Sequence, residues 1–192
     1  EDVTEAEQSK VKATMTTILK RYFYTNFDLE LLIEKKTEKI LLQDEDDVET
    51  ENHPLLNQAA IPLKLNDLNG NSFDWKKLKG KNVILSFWAT WCSPCIQELP
   101  LLNKISKEMK KDNVVVVAVC TDGLKKKRRV SKLIKRAKID FPVLLAQSTV
   151  KEQYKFVGIP ALFLIDKNST IIDIHSGYSP KMEQLIKEKF AL

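Results

Sequence analysis

Residues 83–95 read VILSFWATWCSPC, and the order of residue types in this stretch decides the fold. Val83–Ala89 is a continuous apolar run of the kind that forms a strand buried on both sheet faces. Cys92 follows at once, and a helical pattern then runs from Cys95 to Met109 through Leu99, Leu102 and Ile105. The C-x-x-C pair therefore sits where a buried strand hands over to a helix. Cys92 falls at that helix's N-terminus, where unpaired N–H groups and the helix dipole stabilise a thiolate. Cys95, one turn further in, is placed to attack a mixed disulfide formed at Cys92. Pro94 is tolerated in a first helical turn because no intrahelical acceptor awaits its missing N–H.

The rest of the chain extends this pattern in both directions. Val114–Cys120 reads as a second buried strand, followed by a helix with apolar positions Val130, Leu133, Ile134 and Ala137. Phe141–Leu145 reads as a strand, Val150–Phe156 as a short helix and Ala161–Ile165 as a strand. Asp166–Ser169 is a hairpin turn with Thr170–His175 as its return strand. Pro180–Phe190 closes the chain as a helix, with Ser179 expected as cap and Pro180 in the first turn. Towards the N-terminus, Ile61–Leu65 alternates weakly into the turn signature Asp67–Asn71 and a short run to Trp75. This order describes an α/β protein whose sheet has parallel strands first and an antiparallel hairpin last.

Composition removes several function classes. With 43% hydrophobic and 30% charged residues, the chain can bury a core and stay in solution. Its apolar runs fall well short of the roughly 18 residues of a membrane helix. The five glycines are widely scattered, which excludes a G-x-G-x-x-G dinucleotide turn and a Walker phosphate loop. One C-x-x-C, a lone Cys120 and two distant histidines do not make a zinc site, and no metal is expected. Ile96 rather than His after Cys95 removes covalent haem attachment. The sequence opens on Glu1 with no basic-then-apolar leader and reads as a mature or a trimmed form, from which a signal or anchor could have been removed.

Charge divides the chain near residue 52. Residues 1–52 carry 7 Lys/Arg against 14 Asp/Glu, a net −7, whereas residues 53–192 carry 24 against 12, a net +12. The division follows Asp44–Glu51, six acids in eight residues, whose self-repulsion favours an extended linker. Ahead of it, Val11, Met15, Ile18, Leu19 and Tyr22 recur at helical spacing. The expectation is a mainly helical front segment, 1–52, before a domain at 53–192. That segment reads either as helices folded onto the domain or as an arm for oligomerisation. Lys125–Lys138 holds nine basic residues in fourteen, and a solvated helix face is the preferred reading. No aromatic residue interleaves with those charges, so nucleic acid is not an expected partner.

Trp91–Cys92–Ser93–Pro94–Cys95, followed by Glu98 and Pro100, with Gly158–Ile159–Pro160–Ala161 and the run to Asp166 downstream, resembles the TlpA/ResA/DsbE group of thioredoxin-fold thiol–disulfide oxidoreductases. The resemblance covers about 135 residues, from His53 to the end, and includes the Asp67–Gly80 hairpin typical of the group's front end. It implies a thioredoxin fold, a central mixed sheet flanked by helices with an N-terminal hairpin insertion. It also implies that Ile159–Pro160 is a cis peptide facing the cysteines, in a groove for substrate chain that Trp88, Trp91, Ser93 and Pro94 help to line. Glu98 would be the acidic residue beneath the active site in reductive members. Electrons would come from a membrane thiol reductase, and substrates would be cysteine-bearing proteins outside the cytoplasm, cytochrome c precursors among them.

The residues support the same chemistry. Glu98, three positions past Cys95, reads as an exposed helix acid or as a carboxylate that shuttles the Cys95 proton; the second reading is preferred. Of Trp88 and Trp91, one is expected in the core and the other over the disulfide. Cys120, at a strand end, reads first as a small buried hydrophobe and second as a third redox thiol. Ser93–Pro94 brings no His or Lys to depress the Cys92 pKa, which favours reduction over strong oxidation. No cofactor beyond the Cys92–Cys95 disulfide is expected. Two alternatives stand beside the reductant: an oligomeric isomerase or oxidase assembled through the front segment, and a thiol-based copper carrier.

Overall fold

A computed structural model describes residues 53–191. The front segment, with its expected helices, linker and oligomerisation role, lies outside the described residues. Six strands form one sheet: β1 (Asn66–Asp67), β2 (Asn82–Trp88), β3 (Val114–Cys120), β4 (Val143–Leu145), β5 (Ala161–Ile165) and β6 (Ile171–Ser176). Four α-helices, α1 (Ser93–Glu108), α2 (Gly123–Arg136), α3 (Val150–Tyr154) and α4 (Met182–Phe190), accompany them, with a short 3-10 turn at Trp75–Leu78. The strand order is β1-β4-β3-β2-β5-β6. β2, β3 and β4 are mutually parallel, β5 runs antiparallel to β2, and β6 runs antiparallel to β5. Parallel strands first and an antiparallel hairpin last is the expected α/β topology, and it is a thioredoxin-like fold.

Alternation along β2 explains why it is apolar from Val83 to Trp88 apart from Ser86. Val83, Leu85 and Phe87 enter one core with Tyr154, Phe156 and Phe163, while Ile84 and Trp88 enter the other with Leu99, Leu102 and Ile105 of α1. A strand with period-two side chains and two covered faces has no position left for a solvated residue. In the first core, Phe87 stacks on Phe156 with ring centroids 4.7 Å apart, and Phe163 meets Tyr154 edge-on at 5.0 Å. The second core is tied to the next crossover by Asn103, whose Nδ2 donates to the Lys138 carbonyl at 2.9 Å and whose Oδ1 accepts from Asp140 N at 3.0 Å.

The amphipathic α2 carries its eight cations outward, and Lys138 follows just beyond its end. Lys125–Arg129, Lys132, Lys135, Arg136 and Lys138 are all exposed, while Val130 and Ile134 are buried. Its first residue must be small, because a Cβ on Gly123 would stand 2.8 Å from Leu145 Cδ2 and 3.1 Å from the Leu145 Cα.

Two helix boundaries differ from expectation, and the stretch before the first turn is resolved. Ile61–Leu65, which alternates weakly, forms no strand; the strand there is the two-residue β1, paired antiparallel with Leu144–Leu145. Pro62 has no N–H to offer a ladder, and side chains take the neighbouring carbonyls. Tyr154 Oη donates to the Ile61 carbonyl at 2.7 Å, and Trp75 Nε1 donates to that of Leu63. The hairpin turn after β1 is present, closed by Asp67 Oδ1 accepting from Asn69 N and Asn71 N at 2.8 and 2.9 Å. The short helix stops at Tyr154, because Lys155 adopts φ +56°. The last helix begins at Met182, so Ser179 and Pro180 form the turn before it, with Ser179 Oγ accepting from Lys181 N at 3.2 Å.

At the far edge of the sheet, the chain before β1 runs along the start of β6. Asn57 N donates to the Ile171 carbonyl at 2.8 Å and Ile171 N to that of Gln58 at 2.9 Å, and Ala59 bridges Thr170. Further along β6, the nearly buried Asp173 meets His175 Nε2 at 3.0 Å and Lys189 Nζ of α4 at 3.1 Å. These contacts hold its carboxyl below the usual range although burial opposes them.

Candidate active site

The carboxyl ends of β2 and β3 and the amino end of β5 meet at one edge of the sheet, and the cysteines lie there. β2 stops at Trp88, whose carbonyl accepts from Thr121 N at 2.8 Å. The chain then turns through Ala89–Trp91 into α1, with Cys92 as the N-cap residue. Cys92 and Cys95 are joined by a disulfide, with Cα atoms 5.3 Å apart. Cys95 N–H points at Cys92 Sγ, 3.3 Å away. Once the bond is reduced, that N–H and the helix dipole both favour a thiolate at Cys92. Cys92 retains 4% of its surface and Cys95 none, so an incoming sulfur meets Cys92 first.

Opposite the disulfide, the Ile159 carbonyl oxygen lies 3.6 Å from Cys92 Sγ, and the Ile159–Pro160 peptide is cis. Ser93, Pro94 and Trp91 are exposed beside the sulfur, Trp91 at 68% of its surface. Trp88, expected in the substrate groove, is corrected. It is fully buried, because its β2 position points it into the α1 core with Leu99 and Leu102. Trp91 is therefore the tryptophan at the surface and Trp88 the one in the core.

Glu98 is buried at 1% exposure in the turn of α1 after Cys95. Its Oε2 accepts from Ser86 Oγ at 3.1 Å, and its Oε1 has no partner among the described residues. Burial raises its pKa to about 7, against the smaller lowering effect of the Ser86 hydroxyl. A carboxyl titrating near neutrality, three residues from the inner sulfur, can both accept and return a proton. Ser86 was not singled out from sequence. Its signal was a hydroxyl inside an otherwise apolar strand, which demands a buried partner.

Cys120 closes β3, fully buried, with its thiol donating to Asp122 Oδ1 at 3.2 Å. Burial, then the Asp122 hydrogen bond and charge, push this thiol up, away from thiolate chemistry. Both effects disfavour the thiolate that a third redox thiol would need. Asp122 also escaped the sequence reading. Its carboxylate accepts from Thr90 N at 3.0 Å and from Thr90 Oγ1 at 2.7 Å, across 32 residues of chain. Burial opposes ionisation, yet the donors from Thr90 and Cys120 hold its carboxyl below the usual range. This bond fixes the turn two residues ahead of Cys92. Asp122→Ala should lower stability by about 1–3 kcal/mol, since the Thr90 donors lose their acceptor. Urea unfolding of the oxidised protein measures it; an unchanged midpoint would show that the clamp carries no energy.

His175, a strand-end side chain, pairs with Asp173 and not with the cysteines. Among the described residues, no group of three or more His, Cys, Asp or Glu side chains is arranged to hold a metal ion, and no helix is long and apolar enough to cross a membrane.

A redox-active pair at the strand-to-helix junction of a thioredoxin-like sheet defines a thiol–disulfide oxidoreductase. The chain belongs to the AhpC/TSA family, whose sequence model matches residues 56–174. The thioredoxin-like protein YneN of Bacillus subtilis is 35% identical over 127 residues, spanning 66% of this chain and 74% of that one. The thiol-disulfide oxidoreductase ResA of Halalkalibacterium halodurans is 30% identical over 132 residues, spanning 68% and 73%. Among solved structures, a putative thiol:disulfide interchange protein DsbE from Chlorobium tepidum superposes with a TM-score of 0.65 at 27% identity, covering 71% of this chain and 95% of that one.

Proposed function

We propose that this chain reduces disulfides of proteins outside the cytoplasm, using Cys92 as nucleophile, Cys95 as resolving thiol and Glu98 as the proton acceptor for Cys95. The observation that carries the reading is the pairing of one surface-reachable sulfur with a buried carboxyl that titrates near 7. Cys92 thiolate attacks one sulfur of the substrate disulfide and expels the other as thiolate. A mixed disulfide results. Cys95 then loses its proton to Glu98, attacks Cys92 Sγ and releases the second substrate sulfur as thiolate. Two electrons pass to the substrate, and Cys92–Cys95 is left oxidised. The segment Ile159–Pro160 forms the groove wall against which the substrate chain lies.

Regeneration needs an external dithiol, and a membrane thiol reductase is the donor we favour. Cytochrome c precursor cysteines fit as substrates, because they must be kept reduced before they are used. The reduction potential of the Cys92–Cys95 couple, measured against dithiothreitol, tests the direction. A reductant should fall near thioredoxin's value of about −270 mV. A potential approaching about −120 mV would mark an oxidant and overturn the reading.

A further inference from the structure

Four large hydrophobic side chains are exposed among the described residues: Trp91, Leu124, Val157 and Tyr178, at 68, 52, 72 and 37% of their surface. Single exposed apolar residues are ordinary. Their placement here is not. Because β6 runs antiparallel to β5 and β5 antiparallel to β2, the carboxyl ends of β2, β3 and β6 share one edge with the amino end of β5. Trp91 follows β2, Leu124 follows β3, Tyr178 follows β6, and Val157 precedes β5. All four therefore stand at the edge that presents Cys92. An apolar surface gathered around a reacting atom marks a binding face.

Part of that face is concave. Trp91, Phe156, Val157 and Ile159 wall a hollow of about 270 Å³, with Ser148 and Lys151 on its polar side. A dry cavity of about 150 Å³ accommodates benzene, so this hollow has room for an aromatic side chain. It begins at Trp91, next to Cys92, and ends at Ile159, whose carbonyl lies 3.6 Å from the sulfur. Lys151 is its only charged lining residue among the described residues, and α2 starts with the exposed Lys125 and Lys126 beside Leu124. The chemistry asked of an occupant is an apolar body with a negative flank.

We propose that this edge docks an unfolded polypeptide segment whose disulfide cysteine has a bulky apolar residue and a carboxylate within two positions. The apolar side chain fills the hollow between Trp91 and Val157, and the carboxylate meets Lys151. This rests on Cys92 being the attacking sulfur, and it selects substrates by the residues around their cysteines. A sequence with Phe and Asp beside the cysteine is favoured, and one with Ser and Lys is disfavoured.

The test uses the full chain in reduced form with disulfide-linked peptides of equal length, carrying Phe-Asp, Phe-Lys, Ser-Asp or Ser-Ser next to the cysteine. The expected result is a kcat/KM for Phe-Asp about 10–100-fold above Ser-Ser, the range one apolar group supplies in a fitted pocket. Lys151→Glu should invert the preference between Phe-Asp and Phe-Lys. That readout is a ratio within one protein and is insensitive to the fraction folded. Equal rates on all four peptides, or an unchanged ratio in the variant, overturn the docking proposal and leave the reductant standing. Turnover of none of the peptides overturns both. Rates per molecule that rise on dilution of the enzyme would mean that a second copy covers the hollow, and overturn the docking proposal as well.

Discussion

Cys95→Ser should abolish turnover on protein disulfides, by at least about 10³-fold, and leave the protein covalently joined to its substrates. The effect is large because the two sulfurs act as one unit, and removal of either member of such a unit costs nearly the whole catalytic advantage. Cys92, which holds the exposed 4% of its surface at the helix N-terminus, still attacks in this variant. With no resolving thiol, the mixed disulfide persists and migrates as a larger species on a non-reducing gel. Cys92→Ser should lose turnover equally and trap nothing, since Cys95 has no surface from which to attack. Trapping by Cys92→Ser and not by Cys95→Ser would reverse the roles of the two sulfurs.

Glu98→Gln should make the protein more stable at pH 8 and less active. The carboxyl titrates near 7 in the folded chain, while the unfolded chain gives it an ordinary value of 4.5. Below about pH 4.5 both states hold the proton and the group contributes nothing to the pH dependence. Between there and pH 7 the unfolded state has released its proton and the folded state has not. Unfolding is favoured by roughly 1.4 kcal/mol for each pH unit in that window. Above pH 7 the loss levels off at about 3 kcal/mol. Gln carries no charge to desolvate, so the variant should recover about 2–3 kcal/mol at pH 8 and little at pH 4. Its amide brings a donor to a site that offers the Ser86 hydroxyl, which trims the gain. Denaturant melts at the two pH values decide the matter. An equal stability change at both would mean that folding does not raise the Glu98 pKa above its ordinary value. The rate of disulfide reduction should also lose its rise through pH 7 in the variant, because the proton acceptor for Cys95 is gone.

The parts of this molecule that were legible in its sequence are those set by local pattern. β3 occupies the apolar run Val114–Cys120, and β2 is offset by one residue from the expected Val83–Ala89. Cys92 caps its helix, as its place after a buried strand required. Glu98 was singled out by the family resemblance, and helical spacing from Cys95 supported it. What escaped was decided by contacts between distant segments. Nothing near Thr90 announces that its N–H and hydroxyl go to Asp122, and nothing near Glu98 announces Ser86. Ile61–Leu65 alternates as a strand does, but side chains of Trp75 and Tyr154 hold two of its carbonyls. Trp88 and Trp91 look alike in sequence. Only the alternation of β2 inside a two-faced sheet sends one inward and leaves the other beside the sulfur.

The β6 edge bears on a hazard for any protein that handles unfolded chains through exposed apolar residues. A sheet edge is a template on which a captured chain could add itself as a further strand and seed aggregates. Here the first residues of β6 are already paired with Asn57–Ala59. Further along, Asp173 ties β6 to α4 through Lys189 Nζ at 3.1 Å. The start of that edge is thereby closed to an added strand.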